Sequence, residues 1–69
     1  MGNDEFLKTL GKKIAELRKA NNMTALDVCA IINMEKSNYS AIENGRQNPT
    51  ALTLKRIAEA IEVSVSDFF

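Results

Sequence analysis

Apolar residues recur at three- and four-residue steps along most of this 69-residue chain. Such spacing places side chains on one face of a helix. The first helical set is Leu7, Leu10, Ile14 and Leu17. We predict a first helix that is capped by Asn3 or Asp4 and runs to about Ala20. Gly11 inside it costs roughly 1 kcal/mol relative to alanine, a cost usually justified by close approach of another backbone.

A second helix is predicted to begin at Thr24. Thr24 and Asp27 have the spacing of a capping box, in which each side chain bonds the other residue's backbone amide. Asn33 suits the left-handed conformation that ends many helices. The inward residues of this helix are then Val28, Cys29 and Ile32.

A third helix follows after a turn of only two residues. It is predicted to run from about Lys36 to Asn44 and to stop at Gly45. Tyr39 and Ile42 are its inward residues, and the Tyr39 hydroxyl is expected at the rim of the core. Two short helices joined by so tight a turn cross steeply, so the second can project from the body of a domain.

The C-terminal third predicts two more helices. Thr50 caps a helix from about Ala51 to Ile61, although Glu62 is a poor residue to follow it because it lacks the freedom of glycine. Ser64 and Asp67 form another capping box, which starts a short fifth helix. No strand pattern or internal repeat is present. The sequence therefore predicts an all-α, compact five-helix bundle in one domain over residues 1–69.

Composition excludes several classes of function. Hydrophobic residues make up 45% of the chain and charged residues 26%, as in an ordinary soluble globular protein. No apolar run approaches the roughly 20 residues of a membrane span, so we expect a cytoplasmic protein with no membrane contact. With one cysteine and no histidine, the chain has no second soft ligand for a zinc site beside Cys29. The absence of histidine and of a glycine-rich phosphate loop also argues against an enzyme, and we expect no catalytic residues, metal or cofactor.

The charge distribution says more than the net charge of zero. Between residues 36 and 56 there are four basic residues and one acidic residue, whereas the last charged residues are all acidic. The chain thus has a basic middle and an acidic end, and a basic patch is the usual electrostatic footprint of nucleic-acid binding.

The middle of the chain resembles a known family. The run NMEKSNYSAIENGRQNP at 33–49, followed by TLKRIAEAI and VSVSDFF, is similar to the phage-repressor and Cro type of helix-turn-helix regulator, the Xre family. The resemblance covers Leu10 to Phe69. It is most specific in the IENG sequence at 42–45 and the NPT sequence at 48–50. It implies a lambda-repressor-like DNA-binding fold without catalysis, which binds operator DNA as a symmetric homodimer.

The resemblance also implies which residues meet double-stranded DNA. The recognition helix of such a domain lies in the major groove, while contacts to phosphate set its register. Base edges would be met by Lys36, Ser37, Asn38 and Ala41. Phosphates would be met by Thr24, Ala25, Ser40, Asn44, Arg46 and Gln47.

Two structural roles follow from the same resemblance and from the end of the chain. Arg18, late in the first helix, is expected to form a largely buried ion pair with Glu43 of the IENG sequence. At the C-terminus one of two aromatic residues should close the core, while the other lies on a candidate dimer face. That candidate face consists of Val65, Phe68 and Phe69.

Departures from the family pattern leave a second interpretation open. Ala25 replaces the usual glutamine after the cap of helix two, and Glu35 stands where a serine or threonine cap is common. Helix two also carries apolar residues where polar ones are usual. An antitoxin-like or adaptor module could instead dock a protein partner through Ala25, Leu26, Ala30 and Ile31.

Overall fold

A computed structural model describes residues 2–69, and every regular element in that range is helical. The chain forms α1 (Gly2–Ala20), α2 (Ala25–Ile32), α3 (Lys36–Glu43) and α4 (Ala51–Ala60). A 3-10 turn, Val65–Phe68, follows. The all-helical prediction is confirmed, but the count of five α-helices is wrong. Backbone bonds in the last element join residues three apart, as from Asp67 to Ser64, so it is a 3-10 turn.

The N-terminal boundary of α1 also differs from the prediction. The helix begins at Gly2, so Asn3 and Asp4 lie inside its first turn and neither is the cap. Polar residues are favoured both at caps and in the first turn, where negative charge complements the helix dipole. Composition alone therefore does not separate the two positions. The predicted end at Ala20 is confirmed.

The predicted start and end of α2 are both present. The Thr24 hydroxyl accepts a hydrogen bond from the Asp27 amide at 3.1 Å, and the Thr24 amide donates to the Asp27 carboxylate at 2.8 Å. Asn33 has φ 56° and ψ 53°, the left-handed conformation expected of it. These two caps confine α2 to eight residues and fix the short turn into α3.

Two glycines let α1 pack closely against the end of α3. A Cβ atom added at Gly11 would overlap the carbonyl oxygens of Ile42 and Glu43. A Cβ atom at Gly45, whose φ is 74°, would stand 2.7 Å from the Lys8 Cα atom. The close backbone approach that would justify Gly11 is therefore present, and it brings α1 directly beside the last turn of α3.

The end of α4 shows a conformation that the sequence does not suggest. Glu62 has φ 62°, in the left-handed region that favours glycine. The amide of Val63 then bonds to the Ala58 carbonyl oxygen at 2.9 Å, and the Asn21 side chain donates to the Ile61 carbonyl oxygen at 3.2 Å. These bonds satisfy carbonyls at the helix end, which compensates for the strained residue.

The core lies where the four helices and the 3-10 turn meet. Its fully buried members include Ile14, Tyr39 and Ile57. The prediction that Tyr39 packs inward is confirmed, but its hydroxyl does not reach the rim of the core. Within residues 2–69 that hydroxyl is buried and has no hydrogen-bond partner. No helix in the described range is long and apolar enough to span a membrane.

Candidate nucleic-acid interface

The outer face of α3 is short and polar. Lys36, Ser37 and Asn38 in its first turn are exposed, whereas Ser40 and Ala41 are partly buried. Glu35 at the N-cap makes no side-chain capping bond. The first backbone amides of α3 therefore have no side-chain acceptor. The exposed side chains in the same turn can donate hydrogen bonds to a base edge or accept them from it.

The guanidinium of Arg18 links α1 to the segment before α2 and to the end of α3. Arg18 donates from Nε to Glu43 Oε2 at 2.8 Å and from Nη2 to Glu43 Oε1 at 3.1 Å. Its Nη1 atom donates to the Met23 carbonyl oxygen at 2.8 Å. Arg18 lies near the end of α1, Met23 precedes the cap of α2, and Glu43 is the last residue of α3. The ion pair thus links both helices of the motif to α1.

The pair is nearly buried, which determines its energetics. The exposed fractions of the two side chains are 11% for Arg18 and 13% for Glu43. The hydrogen bond to Glu43 raises the pKa of Arg18, although burial acts in the opposite direction. Burial also raises the pKa of the neighbouring Tyr39 phenol. Removing one partner would leave a desolvated charge uncompensated, a cost of about 3 to 5 kcal/mol.

The residues expected near phosphate lie at two places. Arg46 and Gln47 are exposed in the loop after α3. The side-chain amide of Asn44 donates a hydrogen bond to the Ser40 carbonyl oxygen at 2.9 Å. Thr24 uses its hydroxyl within the capping box, and Ala25 packs partly against the core. The Thr24 amide is bonded to Asp27, so the donors that these two residues leave for an external acceptor are the Thr24 hydroxyl hydrogen and the Ala25 amide.

The outer surface of α2 is apolar. Leu26 and Ile31 are each 60% exposed, and Ala30 between them is also exposed. Ile31 borders a groove of about 200 Å³ that Arg56 and Glu59 of α4 also line. The prediction that Ala25 belongs to this outward surface is wrong, because Ala25 at the first helical position packs toward the core.

A second apolar surface lies at the C-terminus. Phe68 is buried and closes the core, so it is not available to a partner as the dimer-face prediction requires. Phe69 is 67% exposed and stacks on Phe6 of α1, with ring centroids 6.0 Å apart, while Val65 is half-buried. The predicted apolar face of α1 omitted Phe6, although Phe6 lies four residues before Leu10, at the edge of that face.

No arrangement in the described range suggests bound metal. Residues 2–69 contain no group of three histidine, cysteine or acidic side chains that could hold an ion. The lone thiol, Cys29, is buried, and burial raises its pKa. A thiol in this environment packs as a small apolar group.

Comparisons with known proteins agree with this arrangement. A helix-turn-helix family model, HTH_3, matches residues 14–68. The chain is 37% identical over 60 residues to an uncharacterized HTH-type transcriptional regulator, y4dJ, of Sinorhizobium fredii, covering 87% of this chain and 78% of the relative. It is 30% identical over 60 residues to the control protein C.MunI of a Mycoplasma species, covering 86% and 81%.

A solved structure shares the fold. The restriction-modification controller protein C.AhdI from Aeromonas hydrophila superposes with a TM-score of 0.87 at 21% identity, covering 91% of this chain and 96% of that one. At this identity the likeness concerns the fold alone. The four helices and the final turn are therefore arranged as in that controller protein.

We expect a strong energetic coupling between Arg18 and Glu43. Arg18→Met or Glu43→Leu alone should lower the free energy of unfolding by about 3 to 5 kcal/mol, whereas the double variant should lose less than the sum. Urea unfolding followed by circular dichroism measures these values. The exposed pair of Lys55 and Glu59, 4.0 Å apart, is the control, with a coupling under about 1 kcal/mol. Additive losses at Arg18 and Glu43 would contradict a joint role.

Proposed function

The chain belongs to the HTH_3 helix-turn-helix family of Xre-type regulators. From this premise we propose that it is a transcriptional regulator that binds double-stranded DNA in a sequence-specific manner. The observation that carries the proposal is the placement of α3. The first turn of α3 is exposed, and Arg18 bonds both the last residue of α3 and the segment that leads into α2. A recognition helix must be held in this way if its side chains are to meet base edges in register.

Direct readout would come from the first turn of α3. Lys36 can donate to guanine O6 and N7, while Ser37 and Asn38 can bond base edges or phosphate. Ala41 offers only a methyl group, which suits contact with the methyl of thymine. Each good base contact is worth about 1 to 3 kcal/mol of discrimination. So small a set of side chains supports readout of a few base pairs per recognition helix.

Phosphate contacts would fix the position of α3 in the groove. Arg46, Gln47, Asn44 and Ser40 supply side-chain donors at and after the end of α3. The backbone amides of residues 24–26 lie at the start of α2. This is the positive end of the helix dipole, where binding of an anion is favoured. The Thr24 amide already bonds Asp27, so the available donors are the Thr24 hydroxyl hydrogen and the Ala25 and Leu26 amides.

We further propose that the protein acts as a homodimer on a pseudo-palindromic operator. Two recognition helices would enter successive major grooves about 34 to 36 Å apart, and occupancy would repress or activate transcription. The exposed stack of Phe6 and Phe69 supports a dimer face, to which half-buried Val65 on the final turn would add. A pair of exposed aromatic rings is costly in water and gains by burial against a second copy.

A docking module remains the second candidate because of α2. Leu26 and Ile31 are exposed and would suit an apolar surface of a partner protein. Arg56, which lines the groove beside Ile31, would supply one polar contact to that partner. This candidate has the same fold but does not require DNA. The two functions differ in salt dependence and in which surface they use.

Salt titration separates the two functions. If the protein binds DNA, the logarithm of its binding constant for a duplex should fall linearly with the logarithm of salt concentration, by about 0.9 per neutralised phosphate. Lys36→Ala should then change the preference among duplex sequences, measured by fluorescence anisotropy, while Leu26→Asp leaves it unchanged. Binding that is insensitive to salt and to Lys36→Ala, with a protein partner lost on Leu26→Asp, would favour the docking module.

The dimer face has its own test. Phe69→Asp should weaken self-association by at least tenfold, because a carboxylate would be buried against the partner. Sedimentation equilibrium over a range of concentrations measures this change. Leu26→Asp is the matched control, since Leu26 is 60% exposed and Phe69 67%, but it lies on α2. Equal dimer affinity for the wild-type protein and Phe69→Asp would refute the proposed face.

A further inference from the structure

We propose that three lysines of α1, at positions 8, 12 and 19, form a second row of phosphate contacts beside the recognition helix. We refer to Lys8, Lys12 and Lys19 as the α1 lysine row. The inference rests on the DNA-binding function proposed above, and it extends the DNA surface beyond the two helices of the motif. It concerns the DNA backbone and not the bases.

The helical repeat aligns the three lysines. Positions 8, 12 and 19 are separated by four and seven residues, so at 3.6 residues per turn they lie within an arc of about 40°. All three are exposed. The remaining position along the same line is Ala15, a small and partly buried residue that leaves the lysines accessible. The row therefore runs along one edge of α1.

This edge borders α3. The residues of α1 that approach α3 most closely are Gly11, whose added Cβ atom would meet the Glu43 carbonyl, and Arg18, which pairs with Glu43. Lys8 lies against Gly45, and Gly45 directly precedes Arg46 in the loop expected at phosphate. The lysine row lies on the outward side of these contacts, away from the core residues Leu10 and Ile14. The row thus lies beside the end of α3 and the loop that carries Arg46.

The charges in the row are not neutralised within the protein. In the part of the chain that the structure describes, the ion pairs are Arg18 with Glu43 and Lys55 with Glu59, and neither uses a lysine of the row. Asp4, Glu5 and Glu16 each lie three or four residues from a lysine of the row and are exposed, but none of these carboxylates is within ion-pair distance of one. The row consequently presents positive charge along the border with the recognition helix.

A local row of charge matters because the chain has a net charge of zero. The protein as a whole cannot attract DNA over a long distance, so attraction depends on which face carries its lysines. Contacts from flexible lysines to phosphate release counterions without reading sequence. The row should therefore raise affinity and salt dependence equally for an operator and for an unrelated duplex.

The experiment compares two variants with the same change in charge. Lys8→Gln/Lys12→Gln removes two lysines of the row, whereas Lys13→Gln/Lys55→Gln removes two exposed lysines elsewhere. Lys13 is on the same helix but lines the groove beside Phe6 and Phe69, so sedimentation equilibrium must show that the control dimerises as the wild type does. Glutamine preserves helix propensity, and circular dichroism melts should show that both variants fold as the wild type does. Binding to a selected site and to a scrambled duplex is measured across salt concentrations.

We expect the slope of log binding constant against log salt to fall by nearly two units in Lys8→Gln/Lys12→Gln, and by one more when Lys19→Gln is added. The preference for the selected site over the scrambled duplex should not change. The control should keep the wild-type slope. A slope and affinity equal to those of the control would overturn the lysine row while leaving DNA binding by α3 intact. Absence of duplex binding by the wild-type protein would instead overturn the proposed function and the row with it.

Discussion

The arrangement of this domain depends on one buried guanidinium. Arg18 makes two hydrogen bonds to Glu43 at the end of α3 and a third to the Met23 carbonyl before α2. These bonds form only when α1, the start of α2 and the end of α3 are correctly placed together. A buried charge without its partner is costly, so alternative crossings of the two short helices are disfavoured. The ion pair therefore favours one geometry of the helix-turn-helix over others.

Two glycines allow the close packing of α1 and α3 that accompanies this ion pair. Because Gly11 has no side chain, α1 lies against the carbonyl groups of Ile42 and Glu43. Because Gly45 has none, Lys8 of α1 can pack directly against the backbone that follows α3. This close packing places one edge of α1 beside the end of α3 and the loop that follows it. We interpret the exposed surface of these elements as the side of the protein that meets DNA, with short polar residues for the bases and lysines for the backbone.

Sequence predicted the elements whose signals are local. The capping box at Thr24 and the left-handed Asn33 depend on residues within one turn, and the apolar spacing of α1 depends on one face. Tertiary structure decided the rest. Glu62 adopts a conformation that glycine prefers because distant bonds satisfy the helix end, and the depth of the Tyr39 hydroxyl depends on what packs above it. Base contacts came from family resemblance, since no local rule distinguishes Lys36 from an ordinary surface lysine.

The central claim is that α3 reads the sequence of double-stranded DNA. Selection of bound duplexes from a random pool at low salt tests it most directly, because it assumes neither an operator nor a target gene. We expect enrichment of a short motif in two inverted copies, with centres about 10 to 10.5 base pairs apart, as required for two recognition helices on one face of the duplex. Recovery of unenriched random sequence at low salt would contradict it.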